Sequence, residues 1–230
     1  KMIVFLHNDQ NQITIPGFYD DVQLVSKEER EAMAQAPFNL DNYKKALNID
    51  TVWGEEGYTT IERTGIRRTL DVCGIWGGYT GEGAKTVLPS KAYAKISMRL
   101  VPNQDYRVIS KLFKDHFKKI APPYVQVKVT DLHGGQGYVA PIEMPAYKAA
   151  EKAYLQIYGK KPIPIRSGGS IPIISTFEQV LGTKTLLMGF GLESDAIHSP
   201  NENYPVDHFY RGIETICHFY LEYAKEMSKK

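Results

Sequence analysis

The chain has 230 residues with 28 basic and 26 acidic side chains, a formal charge of +2. That near balance argues against a nucleic-acid surface or an acidic tail, and no apolar run is long enough to span a bilayer. Cys73 and Cys217 are too few and too far apart for a disulfide framework, which favours a reducing, cytoplasmic setting.

The first residue is Lys1, not an initiator Met, and no signal-peptide pattern follows. Met2 to Leu6 is an apolar run that fits a first strand or the last turns of a helix. Asn8 to Gln12 reads as a polar turn, and Ile13-Thr14-Ile15 as a short strand stopped by Pro16-Gly17. Residues 26–36 read as a helix, with Ser26 as N-cap and Glu29 three residues on. A second short helix covers 41–46, and 52–64 is punctuated by glycines.

Residues 69–75 and 91–101 alternate apolar and polar, as half-buried strands do, and a Gly-rich connection joins them. Helical periodicity over 105–119 runs through Val108, Leu112, Phe113 and Phe117. Val125, Val127 and Val129 then predict another strand. This order implies an α+β layer of sheet and helix. From about residue 137 the pattern changes. A helix over 145–158 stops at Gly159, a helix is expected at 173–181 and a strand at 184–190. An irregular loop over 191–206 leads to a long amphipathic helix over 207–227, so this stretch reads as part of an α/β layer.

Four constellations carry chemistry. The sharpest is SDAIHSPNE, in which His198 follows an apolar strand and a Gly-Phe-Gly exit, with Asp195, Asn201 and Glu202 around it. Loops at the carboxyl ends of strands in open α/β sheets are where ligands sit, and an imidazole braced by carboxylates suits a transition metal. The plainer reading is a surface histidine in a polar loop, since a metal site needs several converging ligands. The second is RSGGSIP, residues 166–172, where Gly168 and Gly169 allow close backbone approach to an anion and Ser170 opens a helix. The plainer reading there is a tight turn. The third is Arg99 between Met98 and Leu100, either a clamp for a carboxylate or an outward-facing strand residue. The fourth is His133 before Gly134-Gly135, with a hairpin or boundary turn as an equal alternative. His7-Asn8-Asp9 and Glu55-Glu56 read as solvated turns. His116, His208 and His218 read as surface or core-edge residues, and Trp53 and Trp76 as packing aromatics.

Taken together, ITIPGFYDDV, GEEGYT, GIWGGYTGEGAKTVLPSKAYAKISMRLVPNQD, VTDLHGG, RSGGSIPI and LMGFGLESDAIHSPNE resemble one family. It is the family of di-zinc metallopeptidases and amidohydrolases that includes carnosinase-like dipeptidases, aminoacylases, acetylornithine deacetylase and succinyl-diaminopimelate desuccinylase. The carnosinase-like branch is the nearest in flavour. The resemblance implies a fold of mixed class: an inserted α+β two-layer lid, with an antiparallel sheet and helices, plus the C-terminal portion of an α/β zinc-peptidase catalytic domain. Residues 1–136 would be the lid, entered partway through its first helix, and 137–230 the end of the catalytic domain.

The family's H-x-D motif, bridging Asp, Glu-Glu pair with its general base, and partner-reaching lid His would all lie upstream of Lys1. The resemblance therefore leaves no catalytic base in this chain and one metal ligand, His198. It assigns substrate contacts to Thr86, Arg99, His133, Gly169 and Ser170, with Arg99 on the C-terminal carboxylate. It implies two zinc ions in the intact enzyme, with cobalt or manganese as alternatives, bound weakly or not at all by this chain. It further implies a homodimer through the lid and a short peptide or N-acyl amino acid as substrate, with no nucleic-acid or membrane partner. Ser167 departs from the family, which usually has Glu before the two glycines. The contrasting expectation is a non-catalytic, lid-derived dimerisation module.

Overall fold

The computed structural model describes residues 1–22, 25–168 and 171–229. Among them the chain forms seven α-helices and a two-stranded antiparallel sheet, in the order α1 (Lys27–Met33), α2 (Leu40–Leu47), α3 (Thr60–Gly65), β1 (Thr69–Gly77), β2 (Ala92–Arg99), α4 (Tyr106–Lys119), α5 (Pro145–Tyr158), α6 (Ile173–Leu181) and α7 (Val206–Met227). The residues separate into two compact units. The first comprises 1–138 and 165–176, the second 139–164 and 177–230.

The first unit is α+β. Met2–Leu6 is a 3-10 helix, and His7 bridges Ile13 in antiparallel sense. Leu6, Ile13, Ile15 and Phe18 then bury themselves with Leu70 of β1 and Ile109 and Phe113 of α4. Alternation along β2 turns Ile96 and Met98 towards this core and Arg99 away from it. Pairing runs Thr69 to Arg99 through Gly77 to Ala92, with a bulge at Cys73. Among buried polar groups, Gln104 stands out. Its amide donates to the Phe18 carbonyl at 2.6 Å and accepts from the Val101 N–H at 3.1 Å, so it satisfies a backbone group on each side of the core.

The helix signals are realised locally. Ser26 Oγ accepts from the Glu29 N–H, and the Asp105 carboxylate caps α4 by accepting from Arg107 N–H at 2.7 Å. Helix α3 begins inside the 52–64 stretch, which the sequence marks only as punctuated by glycines. Its start is a full capping box between Thr59 and Glu62. Glu62 also bonds Arg30 of α1, which ties the two helices together.

The second unit, among its described residues, is helical. Pro145 occupies the first turn of α5, and Gly159 ends it at φ +68°. Ala149, Ala150 and Ala153 are buried on α5, and Gly212 and Thr215 on α7, where small side chains let the two helices approach closely. Tyr154 stacks on Phe190 and donates its hydroxyl to the Gly189 carbonyl at 2.8 Å. Lys152 joins the helices through Glu226 at 2.5 Å and Glu222 at 3.6 Å.

Two expected strands, around 125–129 and over 184–190, are not strands. Val127 and Val129 are half-buried and Val129 packs on the first core, but neither segment has a ladder partner among the described residues. Alternation and apolar character report burial, whereas a strand also needs a neighbour to receive its N–H and C=O groups. Two other expectations change. Glu55 is not a solvated turn residue, because it is drawn inward by a two-pronged ion pair with Arg67. Trp53 is not a packing aromatic, being 81% exposed. Trp76 does pack, stacked on Tyr93 at 5.2 Å across the hairpin. No described helix is long and apolar enough to cross a membrane.

Candidate functional site

In the first unit, three of the stretches singled out above converge. Arg99 closes β2 opposite Thr69, and its Nη1 donates to the Gly168 carbonyl at 2.7 Å. Gly168 is fixed from the other side, its N–H donating to the Thr64 carbonyl at 2.9 Å. A Cβ on Gly168 would lie 2.5 Å from that same oxygen, so the position admits glycine only. The preceding Arg166 forms a bidentate pair with Glu29 of α1, with Nη2 2.9 Å from the second carboxylate oxygen. Gly65 completes the seat, since a Cβ there would meet the Arg166 carbonyl at 2.4 Å. Thus α1, α3 and β2 together hold the turn that leads into Gly169 and Ser170. Those two residues lie outside the described ones.

The His133 segment reaches the same neighbourhood. A Cβ on Gly134 would collide with the Tyr106 ring at 2.3 Å, and one on Gly135 with Pro172 at 2.5 Å. The two glycines after His133 are therefore required by close approach to the start of α4 and to the 165–172 turn. Upstream, Asp131 accepts from Ser110 of α4 at 2.6 Å. His133 itself is exposed. Thr86 is not part of this convergence. It lies in the exposed connection between Gly77 and Ala92, at the opposite end of the hairpin from the Thr69–Arg99 pair. Eight residues of β2 span roughly 25 Å.

His198 belongs to the second unit. Its loop is tightly wound, with Ala196, His198 and Asn201 all in the left-handed region at φ +53°, +61° and +64°. Asp195 organises it. Buried at 2% exposure, its carboxylate accepts from the Leu192 N–H at 2.8 Å, and its carbonyl accepts from the Asn203 N–H at 2.9 Å. The carboxylate expected to orient the imidazole is therefore committed to the backbone. His198 is exposed, outside an open depression of about 470 Å³ lined by Gly191, Asp195, Ile197, Glu202, Asn203 and Tyr204.

Among the described residues, no three His, Cys, Asp or Glu side chains come together in a way that would hold a metal ion. The described donors thus do not complete a zinc centre, which takes three or four protein ligands. The missed contributors are Glu29 and Arg166, which seat the Gly168 turn. The sequence carries their charges, but nothing in it pairs positions 137 residues apart.

The first unit thus brings a strand-end arginine, the turn at Gly168 and the Gly134-Gly135 pair into one neighbourhood. Residues 15–222 match the family described as Peptidase family M20/M25/M40, and the chain belongs to that family. It is 32% identical over 216 residues to the Cys-Gly metallodipeptidase dug1 of Schizosaccharomyces pombe, covering 93% of this chain and 45% of that protein. It is 26% identical over 223 residues to the human Beta-Ala-His dipeptidase, covering 96% of this chain and 44% of that one.

Among solved structures, the di-peptidase Dug1p of Saccharomyces cerevisiae matches at TM-score 0.84 and 27% identity, over 97% of this chain and 47% of that one. The metallo-carboxypeptidase Sso-CP2 of Sulfolobus solfataricus matches at TM-score 0.83 and 30% identity, over 96% and 51%. The chain spans about half the length of the relatives it matches.

Proposed function

We propose that this chain is the substrate-recognising lid and C-terminal portion of a metal-dependent dipeptidase, with residues 1–136 as lid and 137–230 as the end of the catalytic domain. The observation that carries the reading is the bond from Arg99 to the Gly168 carbonyl, which sets a guanidinium against the chain just before Gly169 and Ser170 in sequence. A strand-end arginine in this position suits the C-terminal carboxylate of a short peptide. The backbone that follows His133 is pinned at Gly134 and Gly135 by Tyr106 and Pro172. The named relatives, a Cys-Gly metallodipeptidase and a Beta-Ala-His dipeptidase, support dipeptides as the substrate class.

A metal in such an enzyme would polarise the scissile carbonyl and acidify water. Zinc, with cobalt or manganese as alternatives, is the metal this reading takes, and His198 is the ligand it would draw from this chain. Because the described donors do not complete that centre, the chain's own role is recognition and positioning of the peptide.

The lid also supports a homodimer. Both outer edges of the β1–β2 hairpin are unpaired among the described residues, and Ile75, Trp76 and Tyr93 are exposed on it. Thr86, held at the far end of that hairpin, would then contact substrate only across the pair. The test joins this chain to the family's upstream half and assays Cys-Gly and β-Ala-His. Hydrolysis is expected, with Arg99→Met raising KM tenfold or more and leaving kcat less affected. The chain alone should turn over neither dipeptide. Turnover by the chain alone, or tight stoichiometric zinc by calorimetry, would overturn this division of labour.

A further inference from the structure

The first unit carries an open depression of about 670 Å³ that shares no lining residue with the Arg99 turn. Three arginines face it, Arg30, Arg67 and Arg68. Arg30 is matched by Glu62 and also donates to the Gly57 carbonyl at 3.4 Å. Arg67 is matched by Glu55, and its guanidinium lies 4.0 Å from the Tyr58 ring centroid. Arg68 makes no ion pair among the described residues, although Glu55 attracts it and the Tyr19 hydroxyl bonds it. It is 8% exposed, lies 3.9 Å over the Tyr19 ring, and its Nε and Nη1 have no hydrogen-bond partner. A buried guanidinium without a matching anion is costly, and the cation–π contact offsets only part of that cost. Burial and the neighbouring Arg67 both push the Arg68 pKa down, yet arginine stays charged. The same wall carries Glu56, exposed and in no ion pair among the described residues. One cation and one anion are thus left over in a single depression.

We propose that this depression binds a free amino acid, its carboxylate received by Arg68 and its ammonium by Glu56. The planar fork of an arginine matches a carboxylate. Glu56 disfavours a multiply charged anion such as phosphate and favours a zwitterion. Tyr58 and the edge of the largely buried Ile13 also line the depression. The reading does not depend on the dipeptidase assignment.

Leucine is titrated into the purified chain by calorimetry, with acetate, isoamylamine and inorganic phosphate as comparisons. Saturable leucine binding is expected, weaker for each comparison compound. Arg68→Met and Glu56→Gln should each weaken it about tenfold or more, and Arg99→Met should leave it unchanged. Should Arg68→Met fail to fold, Arg68→Lys keeps the charge without the fork and is expected to weaken binding in the same direction. The exposed Glu56→Gln variant tests the other contact independently. Absence of leucine binding overturns the proposal, as does acetate or phosphate binding as tightly. Binding that survives Arg68→Met with a raised Tm marks Arg68 as a structural residue and also overturns it. Loss with Arg99→Met alone would move the ligand to the Gly168 turn, which sinks this site and leaves the dipeptidase reading standing.

Discussion

In the first unit, large side chains from a 3-10 helix, a strand and a helix meet in one cluster around Phe18. In the second, the buried apolar side chains of the helix pair are three alanines, while Phe209, Tyr210, Ile213, Tyr220 and Leu221 on α7 stay exposed. Burial of a large side chain contributes roughly 1.5–3 kcal/mol, and an alanine much less. The first unit is therefore held by apolar packing. The α5–α7 seam is held by close backbone approach and by polar ties such as those of Lys152 and Tyr154.

The largest effect that tests this contrast is Phe18→Ala, which should cost about 3–5 kcal/mol in urea unfolding. Phe209→Ala should stay within about 0.5 kcal/mol. Equal losses would erase the distinction between the units. Next comes Glu55→Ala, which strips Arg67 of its partner where both side chains are about nine-tenths buried, 8% and 10% exposed. A buried ion pair broken on one side costs about 3–5 kcal/mol, whereas the Lys161–Glu151 pair of the second unit, 64% and 32% exposed, should yield about 0–1 kcal/mol on removal. A double-mutant cycle on each pair reads the difference.

How much of this was legible follows the same division. Helices α4, α5 and α7 were legible because their signals are local: Asp105 before an amphipathic run, Pro145 and Gly159 at the two ends, a long apolar stripe. Arg99 and the 165–172 turn were legible as a motif, and Met98 inward with Arg99 outward follows from alternation alone. Helix α3 was not expected although Thr59 and Glu62 spell its capping box, because the stretch was read only for its glycines, Gly54 and Gly57. Glu55 was misread because its partner Arg67 is twelve residues away, across α3. The expected strands at 125–129 and 184–190 failed for the reason given above: pairing is a long-range property. His198 was legible as a residue in a distinctive loop. The commitment of Asp195 to Leu192 was not, since either group was a plausible partner in sequence.

The polar ties of the second unit make its stability sensitive to pH at both extremes. Hydrogen bonds from Lys152 and Lys229 hold the Glu226 carboxyl down at about 2. A depressed carboxyl contributes stability that is present above its ordinary value near 4.5 and is lost as pH falls through about 2. At the other end, burial beside Tyr158 pushes the Tyr154 phenol up to about 12. The neutral phenol is favoured by folding, so its contribution is full below pH 10 and is lost as pH rises towards 12. Circular dichroism of the α-helices across both ranges should show the two losses, with Glu226→Gln flattening the acid limb and Tyr154→Phe the alkaline one. Limbs that survive both substitutions would mean that these ties are incidental to the seam.

The smallest effect is the sharpest probe of how far packing extends beyond that seam. Gly159 ends α5 at φ +68°, and nothing lies within 4 Å of where its Cβ would be. Gly159→Ala should therefore cost only the left-handed backbone preference, about 1 kcal/mol. Asparagine tolerates that conformation better, as Asn48 does at φ +53° when it ends α2. Gly159→Asn should thus lose less than Gly159→Ala, and the Tm difference should be about 2–4 °C or less for a chain of this size. A cost near 3 kcal/mol, equal for both substitutions, would be steric rather than conformational. It would place other atoms against the end of α5 and extend the packing of the second unit beyond its alanine seam.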